Sequence, residues 1–138
     1  MKTIKLSDIR IIEIPIVKDS RGNLGVVEGS TIPFETKRVY YLYDVPTSAY
    51  RGAHAHKEQQ ELLIALSGSF DVVVDDGEQK KRFMLNRPDT GLLIPPGIWR
   101  ELEHFSSGAV CLVLNSGLFE ESDYIRDYES FQDSKRPL

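Results

Sequence analysis

The sequence has little of three things that would each point to a particular class of protein. Its one cysteine, Cys111, has no partner for an intrachain disulfide and lies in an apolar run, as a small buried residue does. The longest uninterrupted apolar stretch, residues 109–114, is far shorter than the ~18 residues that a membrane span requires. The first eight residues lack the apolar centre of a signal peptide. We therefore expect a cytoplasmic protein without a membrane segment.

The charge of the chain also shows no basic excess. The sequence holds 17 Lys and Arg against 21 Asp and Glu, a formal net charge of −4, and the two signs are mixed along most of its length. Binding to the phosphate backbone of a nucleic acid is therefore disfavoured. A few arginines that converge in one cleft still create a local positive field, so a phosphorylated small molecule remains compatible with this charge.

Short β-type runs separated by turn residues dominate the chain between residues 10 and 114. The predicted strands cover residues 12–17, 24–28, 38–45, 61–66, 70–75, 80–85, 91–94, 99–105 and 110–114. The Asp-Asp-Gly-Glu phrase at residues 75–78 predicts a hairpin, because Asp-Gly favours the positive φ angles of a tight turn. So many short strands in 138 residues predict a single all-β domain, a sandwich or a barrel.

The character of the sequence changes after residue 114. Tyr124, Tyr128 and Phe131 recur at helical spacing, and Ser122 is a candidate N-cap. This pattern predicts a short C-terminal helix whose aromatic side chains pack against the core.

Two of the three histidines, His54 and His56, are separated by one residue, which places both on the same face of a strand. Two imidazoles on one face are a poor filling for an apolar core, so we interpret them as lining a functional pocket. Imidazole titrates near neutral pH, and both are candidate acid–base groups. The spacing does not decide which of them acts first.

The residues around these histidines resemble the cupins. His54 and His56, then Glu61 after four residues and Gly68 after six more, match the first cupin motif, and Pro-Pro-Gly-Ile-Trp at residues 95–99 matches the second. The resemblance implies a cupin double-stranded β-helix, the jelly roll, with the site inside the barrel.

Arg100 stands where metal-binding cupins carry the histidine that completes their metal site. A guanidinium keeps its charge and has no lone pair, so it opposes a divalent cation. We therefore expect no metal and no other cofactor. The alternative is a metal held by His54, His56 and Glu61, with His104 as a further ligand.

Among the cupins, the chain resembles the sugar 3,4-ketoisomerases of the WxcM-like family, which act on dTDP-4-keto-6-deoxyglucose in deoxysugar biosynthesis. The matching phrases lie at residues 19–22, 32–34, 37–41, 51–57, 75–77 and 123–126. The resemblance implies that a ketone moves from C4 to C3 of the hexose through an enediol, without a redox cofactor. Such a reaction requires a base that titrates near neutral pH and a donor or cation beside the developing oxyanion.

The resemblance also implies roles for individual residues. Tyr40 and Arg51 line the site, and our hypothesis is that Arg51 stabilises the diphosphate or the enediolate. Arg21 and Arg100 match positions that face the sugar, vary among family members and bear on the configuration at C4, which they do not decide here. Glu61 either orients a histidine through its free ring nitrogen, which we favour, or pairs with Arg100.

Members of this family are homodimers that exchange N-terminal strands, and the β-type run at residues 12–17 is consistent with such an exchange. Three alternatives remain open. A 3,5-epimerase requires a His–Asp pair and a tyrosine acid, which we do not find in the corresponding phrases. A metal-dependent cupin enzyme and a non-catalytic protein that binds sugar nucleotides are the other two.

Overall fold

The structure, a computed structural model, describes residues 4–136, and short strands make up most of it. The strands are β1 (Arg10–Glu13), β2 (Ile16–Asp19), β3 (Gly22–Gly25), β4 (Arg38–Leu42), β5 (Arg51–His56), β6 (Glu61–Ser67), β7 (Phe70–Asp75), β8 (Lys80–Leu85), β9 (Thr90–Ile94), β10 (Trp99–Glu103), β11 (Val110–Asn115) and β12 (Tyr124–Ile125). Single 3-10 turns lie at Leu6–Asp8, Gly29–Thr31 and Glu121–Asp123, and helix α1 covers Tyr128–Lys135. None of the helices within residues 4–136 has the length and apolar character to cross a membrane.

Two five-stranded antiparallel sheets form the domain, in the strand orders β1-β9-β6-β11-β4 and β12-β5-β10-β7-β8. Alternation along each strand sends every second side chain inward: Val72 and Val74 on β7 are fully buried, whereas Asp71 and Val73, which alternate with them, are only half-buried. The inward side chains of both sheets build one main core. This arrangement is a cupin jelly roll, and it confirms the predicted all-β fold.

The predicted hairpin is present between β7 and β8, where Asp75 lies opposite Lys80. Gly77 in the turn has a φ of +98°, which glycine adopts without strain. The carboxylate of Asp75 accepts a hydrogen bond from the Gly77 amide at 2.7 Å. The Asp and Gly residues of this phrase thus shape the turn as the sequence predicts.

The prediction of one strand over residues 12–17 is wrong, because the chain leaves β1 at Glu13 and enters β2 at Ile16. Pro15 lies at the break and has no N–H for a ladder. Strand β1 pairs with β9 of its own chain, whereas β2 and β3 form a separate two-stranded sheet. Within one chain, β1 is therefore part of a barrel sheet, whereas the β2–β3 hairpin pairs with neither of the five-stranded sheets.

The C-terminal helix begins later than predicted. Asp127, not Ser122, caps it, because the Asp127 carboxylate accepts a hydrogen bond from the Ser130 amide at 3.0 Å. Tyr124 instead belongs to β12, opposite His56 on β5. The main-chain N–H and C=O groups at the edge of β5 need partners, and this segment provides them as a strand instead of forming a helix. Tyr124 is thereby placed in the site and not in the aromatic stripe of the helix.

Candidate active site

A cavity of about 550 Å³ opens at one end of the jelly roll, a size typical of small-molecule sites. Strands β4, β5, β6 and β10 and the segment after β11 provide its walls. Its polar lining residues are Arg38, Tyr40, Tyr50, Arg51, His54, Glu61, Arg100, Tyr124 and Arg126, and its apolar ones include Leu42, Leu63, Leu102, Val113 and Phe119. Among the residues that the structure describes, four arginines but only one carboxylate line this cavity, so the cavity is positively charged although the protein as a whole is acidic.

Most of the residues that the sequence singles out meet in this cavity, but Arg21 does not. Tyr40, Arg51, His54, Glu61 and Arg100 line it. Arg21 lies at the turn of the β2–β3 hairpin, has a side chain that is 88% exposed, and pairs with Asp19 at 2.8 Å. Within one chain, the predicted contact between Arg21 and the sugar is not formed.

The two histidines occupy different positions. His54 lines the cavity, whereas His56 is fully buried and its ring lies edge-on to that of His54, with ring centroids 4.8 Å apart. Burial first, and then the positive charge of Arg100, lowers the pKa of His54 to about 3. His54 is therefore unprotonated at neutral pH, and its buried Nε2 has no hydrogen-bond partner in the described part of the chain.

Glu61 connects three polar side chains behind the cavity wall. Arg100 donates through Nη1 to Oε1 of Glu61, while the Tyr40 hydroxyl and the Asn115 amide donate to Oε2 at 2.5 and 2.9 Å. Burial opposes ionisation of Glu61, but the contacts with His56 and Arg100 outweigh it, and the pKa of Glu61 is held below its usual range. Burial, and then the negative charge of Glu61, raises the pKa of Tyr40, so its hydroxyl remains protonated.

The remaining N–H donors of Arg100 bind a main-chain carbonyl oxygen two residues earlier in the chain. Its Nε and Nη2 donate to the carbonyl oxygen of Ile98 at 3.3 and 3.2 Å. Arg100 thus lies in the cavity wall as predicted, but the structure commits its donors to Glu61 and the backbone. Its effect on a bound sugar would be exerted mainly through charge.

The residues present do not fit a divalent metal ion. His54, His56 and Glu61 do cluster, with one ligand atom of each within 4.8 Å of the others. Both oxygens of Glu61 already accept hydrogen bonds, however, and a fixed guanidinium abuts one of them. His104, the proposed further ligand, is largely exposed and binds Asp71 at 2.8 Å instead. The alternative set of four ligands is therefore not assembled.

The sequence reasoning missed the carboxylate that holds His56. Asp123 Oδ2 lies 2.8 Å from His56 Nδ1, so the structure forms a His–Asp pair that the sequence analysis did not identify. Glu61 lies farther away, 3.5 Å from His56 Nε2, and is not the main orienting group. Asp123 is 67 residues from His56 in the chain. Its only signal in the sequence is its place in the 123–126 phrase.

Four aromatic and cationic residues at the cavity mouth were also missed as site residues. The Tyr124 ring centroid lies 4.9 Å from that of His54 and 4.5 Å from that of His56. The Arg126 guanidinium lies 4.2 Å from the centre of the Tyr124 ring, and that of Arg38 lies 5.6 Å from the Phe119 ring. These groups form a positive, aromatic entrance suited to a planar base and a diphosphate.

Comparison with known proteins agrees with this geometry. The family described as FdtA, WxcM-like, C-terminal matches residues 7–136. The TDP-4-oxo-6-deoxy-alpha-D-glucose-3,4-oxoisomerase of Aneurinibacillus thermoaerophilus is 41% identical over 124 residues, which is 89% of each chain. A 3,4-ketoisomerase from Helicobacter canadensis is 45% identical, with a TM-score of 0.90 over 93% of this chain and 97% of that one. 

A variant of the 3,4-ketoisomerase QdtA from Thermoanaerobacterium thermosaccharolyticum, solved in complex with TDP-4-keto-6-deoxyglucose, is 38% identical. Its TM-score is 0.92, and the match covers 95% of this chain and 96% of that one. Because the family match and these relatives each span nearly the whole chain, the protein belongs to the FdtA (WxcM-like) family of cupins.

Proposed function

We propose that this protein is a sugar-nucleotide 3,4-ketoisomerase that converts dTDP-4-keto-6-deoxy-D-glucose to a dTDP-3-keto-6-deoxyhexose. The observation that carries the proposal is the unprotonated, unpartnered His54 in a positively charged cavity, in a chain whose relatives are 3,4-ketoisomerases. A nucleotide sugar is charged and does not cross a lipid bilayer, so the enzyme must share a compartment with this substrate. This supports a cytoplasmic location.

His54 is the base that we assign to C3, because it alone of the two histidines lines the cavity. Its unprotonated ring takes the C3 proton, the electrons of that C–H bond form a C3=C4 double bond, and the C4 carbonyl oxygen becomes the enediolate oxygen. The positive charge of Arg100 in the same cavity stabilises this oxygen, while the Tyr40 hydroxyl, which donates to Glu61, holds that carboxylate in place.

The second proton transfer restores a ketone, now at C3. The proton of the C3 hydroxyl passes to the C4 enediolate oxygen, the electrons of that O–H bond form the C3 carbonyl, and the electrons of the C3=C4 double bond form the new C–H bond as a proton is added at C4. We assign this step to His56, whose ring contributes an atom to the 4.8 Å cluster with His54 and Glu61: its buried Nε2, which has no hydrogen-bond partner among the described residues, receives the proton that His54 took from C3 and passes it on to C4. No redox cofactor takes part, because oxidation at C3 balances reduction at C4.

Arg51 is assigned to the diphosphate, since it lies exposed at the start of β5 on the cavity wall. Replacement of Arg51 by lysine is expected to raise the dissociation constant of dTDP by about tenfold, because an ammonium cannot make the paired hydrogen bonds of a guanidinium. Titration calorimetry measures this change. The matched control is Arg87→Lys, an exposed arginine paired with Asp89 outside the cavity. Equal dissociation constants for the two variants would remove Arg51 from the diphosphate site.

A homodimer in which Arg21 completes the partner's site is the second part of the proposal. Arg21 lies at the turn of a hairpin whose apolar side chains Val17 and Leu24 are more than half exposed, and Val39 and Tyr41 on β4 are equally exposed. Burial of such patches against a second subunit would stabilise a dimer.

Mixing two inactive variants tests this arrangement. Arg21→Ala and His54→Asn subunits, unfolded and refolded together, should regain about a quarter of the wild-type sites, because half of a random mixture is hybrid and each hybrid has one intact site. Light scattering of the wild type checks the dimer itself. A monomer, or a mixture without regained activity, would contradict the shared site.

The function is tested by incubation of the purified protein with dTDP-4-keto-6-deoxyglucose in the presence of a 3-aminotransferase, PLP and glutamate. A 3-amino sugar nucleotide is the expected product, since the enzyme supplies the 3-ketone. The His56–Asp123 pair favours a 3,5-epimerase as the second candidate function. An epimerase would give a 4-keto product inverted at C3 and C5, and no 3-amino sugar would form. A protein that binds dTDP without either product would be a non-catalytic sugar-nucleotide-binding cupin.

A further inference from the structure

The carboxylate of Asp123 is buried and accepts several hydrogen bonds, which is unusual for an acidic residue in a turn. It lies in the 3-10 turn Glu121–Asp123, outside the barrel, yet it is only 8% exposed. Its Oδ1 accepts the Glu58 amide at 2.8 Å, and its Oδ2 accepts the Gln59 amide at 3.3 Å in addition to the His56 contact. These bonds fix the carboxylate in one position beside the imidazole of His56.

We infer that Asp123 is a positioning residue that fixes His56 in the tautomer whose Nδ1 carries the proton and whose Nε2 carries the lone pair. The inference rests on the proposed function, in which His56 transfers a proton. A carboxylate that accepts two backbone amides is an acceptor only, so the nitrogen facing it must be the donor. Glu61 lies farther away, with Oε2 3.5 Å from Nε2, and Nε2 makes no hydrogen bond to the described residues, so the ring proton is at Nδ1 and the lone pair is at Nε2.

The backbone brings Asp123 to this place independently of its carboxylate. Tyr124 pairs with His56 across β12 and β5, and the Lys57 amide donates to the Asp123 carbonyl oxygen at 2.8 Å. The Tyr124 ring also packs on both imidazoles. The segment is therefore anchored by main-chain bonds and aromatic packing, and a change of the carboxylate to an amide leaves both in place.

Replacement of Asp123 by asparagine tests the inference with a side chain of the same shape. The amide oxygen can still accept the Glu58 N–H, which turns the NH₂ group toward His56 Nδ1 and reverses the tautomer. We expect kcat to fall by about 10²–10⁴-fold, the range for a histidine held in the wrong tautomer, whereas KM stays within about twofold of wild type. The matched control is Asp127→Asn, which weakens the cap of α1 on the same segment and should leave kcat unchanged.

Nitrogen-15 NMR of the histidine side chains gives the direct readout, with the His56→Asn spectrum used for assignment. The wild type should show a protonated Nδ1 and an unprotonated Nε2 for His56, and Asp123→Asn should show the reverse. An unprotonated Nδ1 in the wild type, or a wild-type kcat in Asp123→Asn, would overturn the inference. A wild type without isomerase activity would refute the proposed function, while its nitrogen spectra would still decide the tautomer.

Discussion

Replacement of His54 by asparagine is expected to reduce the rate of isomerisation by at least about 10³-fold, the upper part of the range for a lost general base. The dissociation constant of dTDP should stay within about twofold of wild type, because the proposed mechanism places the imidazole beside the sugar and not beside the nucleotide. The reason is that His54 is the histidine that lines the cavity and is unprotonated at neutral pH, with a ring nitrogen that no other described residue engages. The coupled aminotransferase assay measures the rate, and calorimetry measures dTDP binding.

The matched variant is His56→Asn, which separates the two proton transfers. Without His56 the C3 proton can still be removed and returned at the same carbon, so the substrate should acquire deuterium at C3 in deuterated water without migration of the ketone. His54→Asn should show neither exchange nor migration. Exchange at C3 in the His54 variant, or isomerisation at more than about a tenth of the wild-type rate, would give the first step to another group.

Replacement of Arg100 by methionine is expected to lower the free energy of unfolding by about 3–5 kcal/mol, because it leaves the carboxylate of Glu61 buried without its cation. Both partners are almost completely buried, which is why the pair differs from a surface salt bridge. Urea denaturation at pH 7 measures the loss. The matched control is Arg82→Met, which breaks contacts of a half-exposed arginine with Asp71 and Glu103 and should cost less than about 1 kcal/mol.

The unfolding free energy that Arg100→Met loses is expected to depend on pH. In the wild type the pKa of Glu61 is below its unfolded value of 4.5, so ionised Glu61 stabilises the folded state above that pH and ceases to do so as the pH falls through the folded pKa. Without Arg100 the folded pKa of Glu61 rises, and the variant should lose less stability relative to wild type as the pH falls below about 5. The double variant with Glu61→Gln should recover part of the loss at pH 7. Equal unfolding free energies for Arg100→Met and Arg82→Met would contradict the role given to this pair.

Local pattern was enough to predict the parts of the molecule that depend on neighbouring residues. The alternation of β7 and β8 and the Asp-Gly turn between them predicted that hairpin at its observed ends. The His-x-His phrase placed His54 and His56 together, whereas the buried pair of Glu61 with Arg100 was only the alternative that the sequence analysis did not favour. In each case a short stretch carries both the structural and the chemical signal.

The parts that could not be predicted depend on contacts between distant segments. Tyr124 has the spacing of a helical aromatic stripe, and only the open edge of β5 turns it into a strand residue. Asp123 resembles many surface acids in the sequence, and its role follows from a fold that returns the chain to His56. Arg21 is the converse case, since its phrase resembles a site phrase, yet within one chain it lies in solvent.

The most direct test of the central claim is the position of deuterium in the product formed in deuterated water. Proton NMR of the trapped 3-amino sugar nucleotide should show deuterium at C4, because the proton added there comes from a histidine in exchange with solvent, and the ring couplings give the configuration at C4. A 4-keto sugar that acquires deuterium at C3 and C5 without migration of the ketone would contradict the account and identify an epimerase.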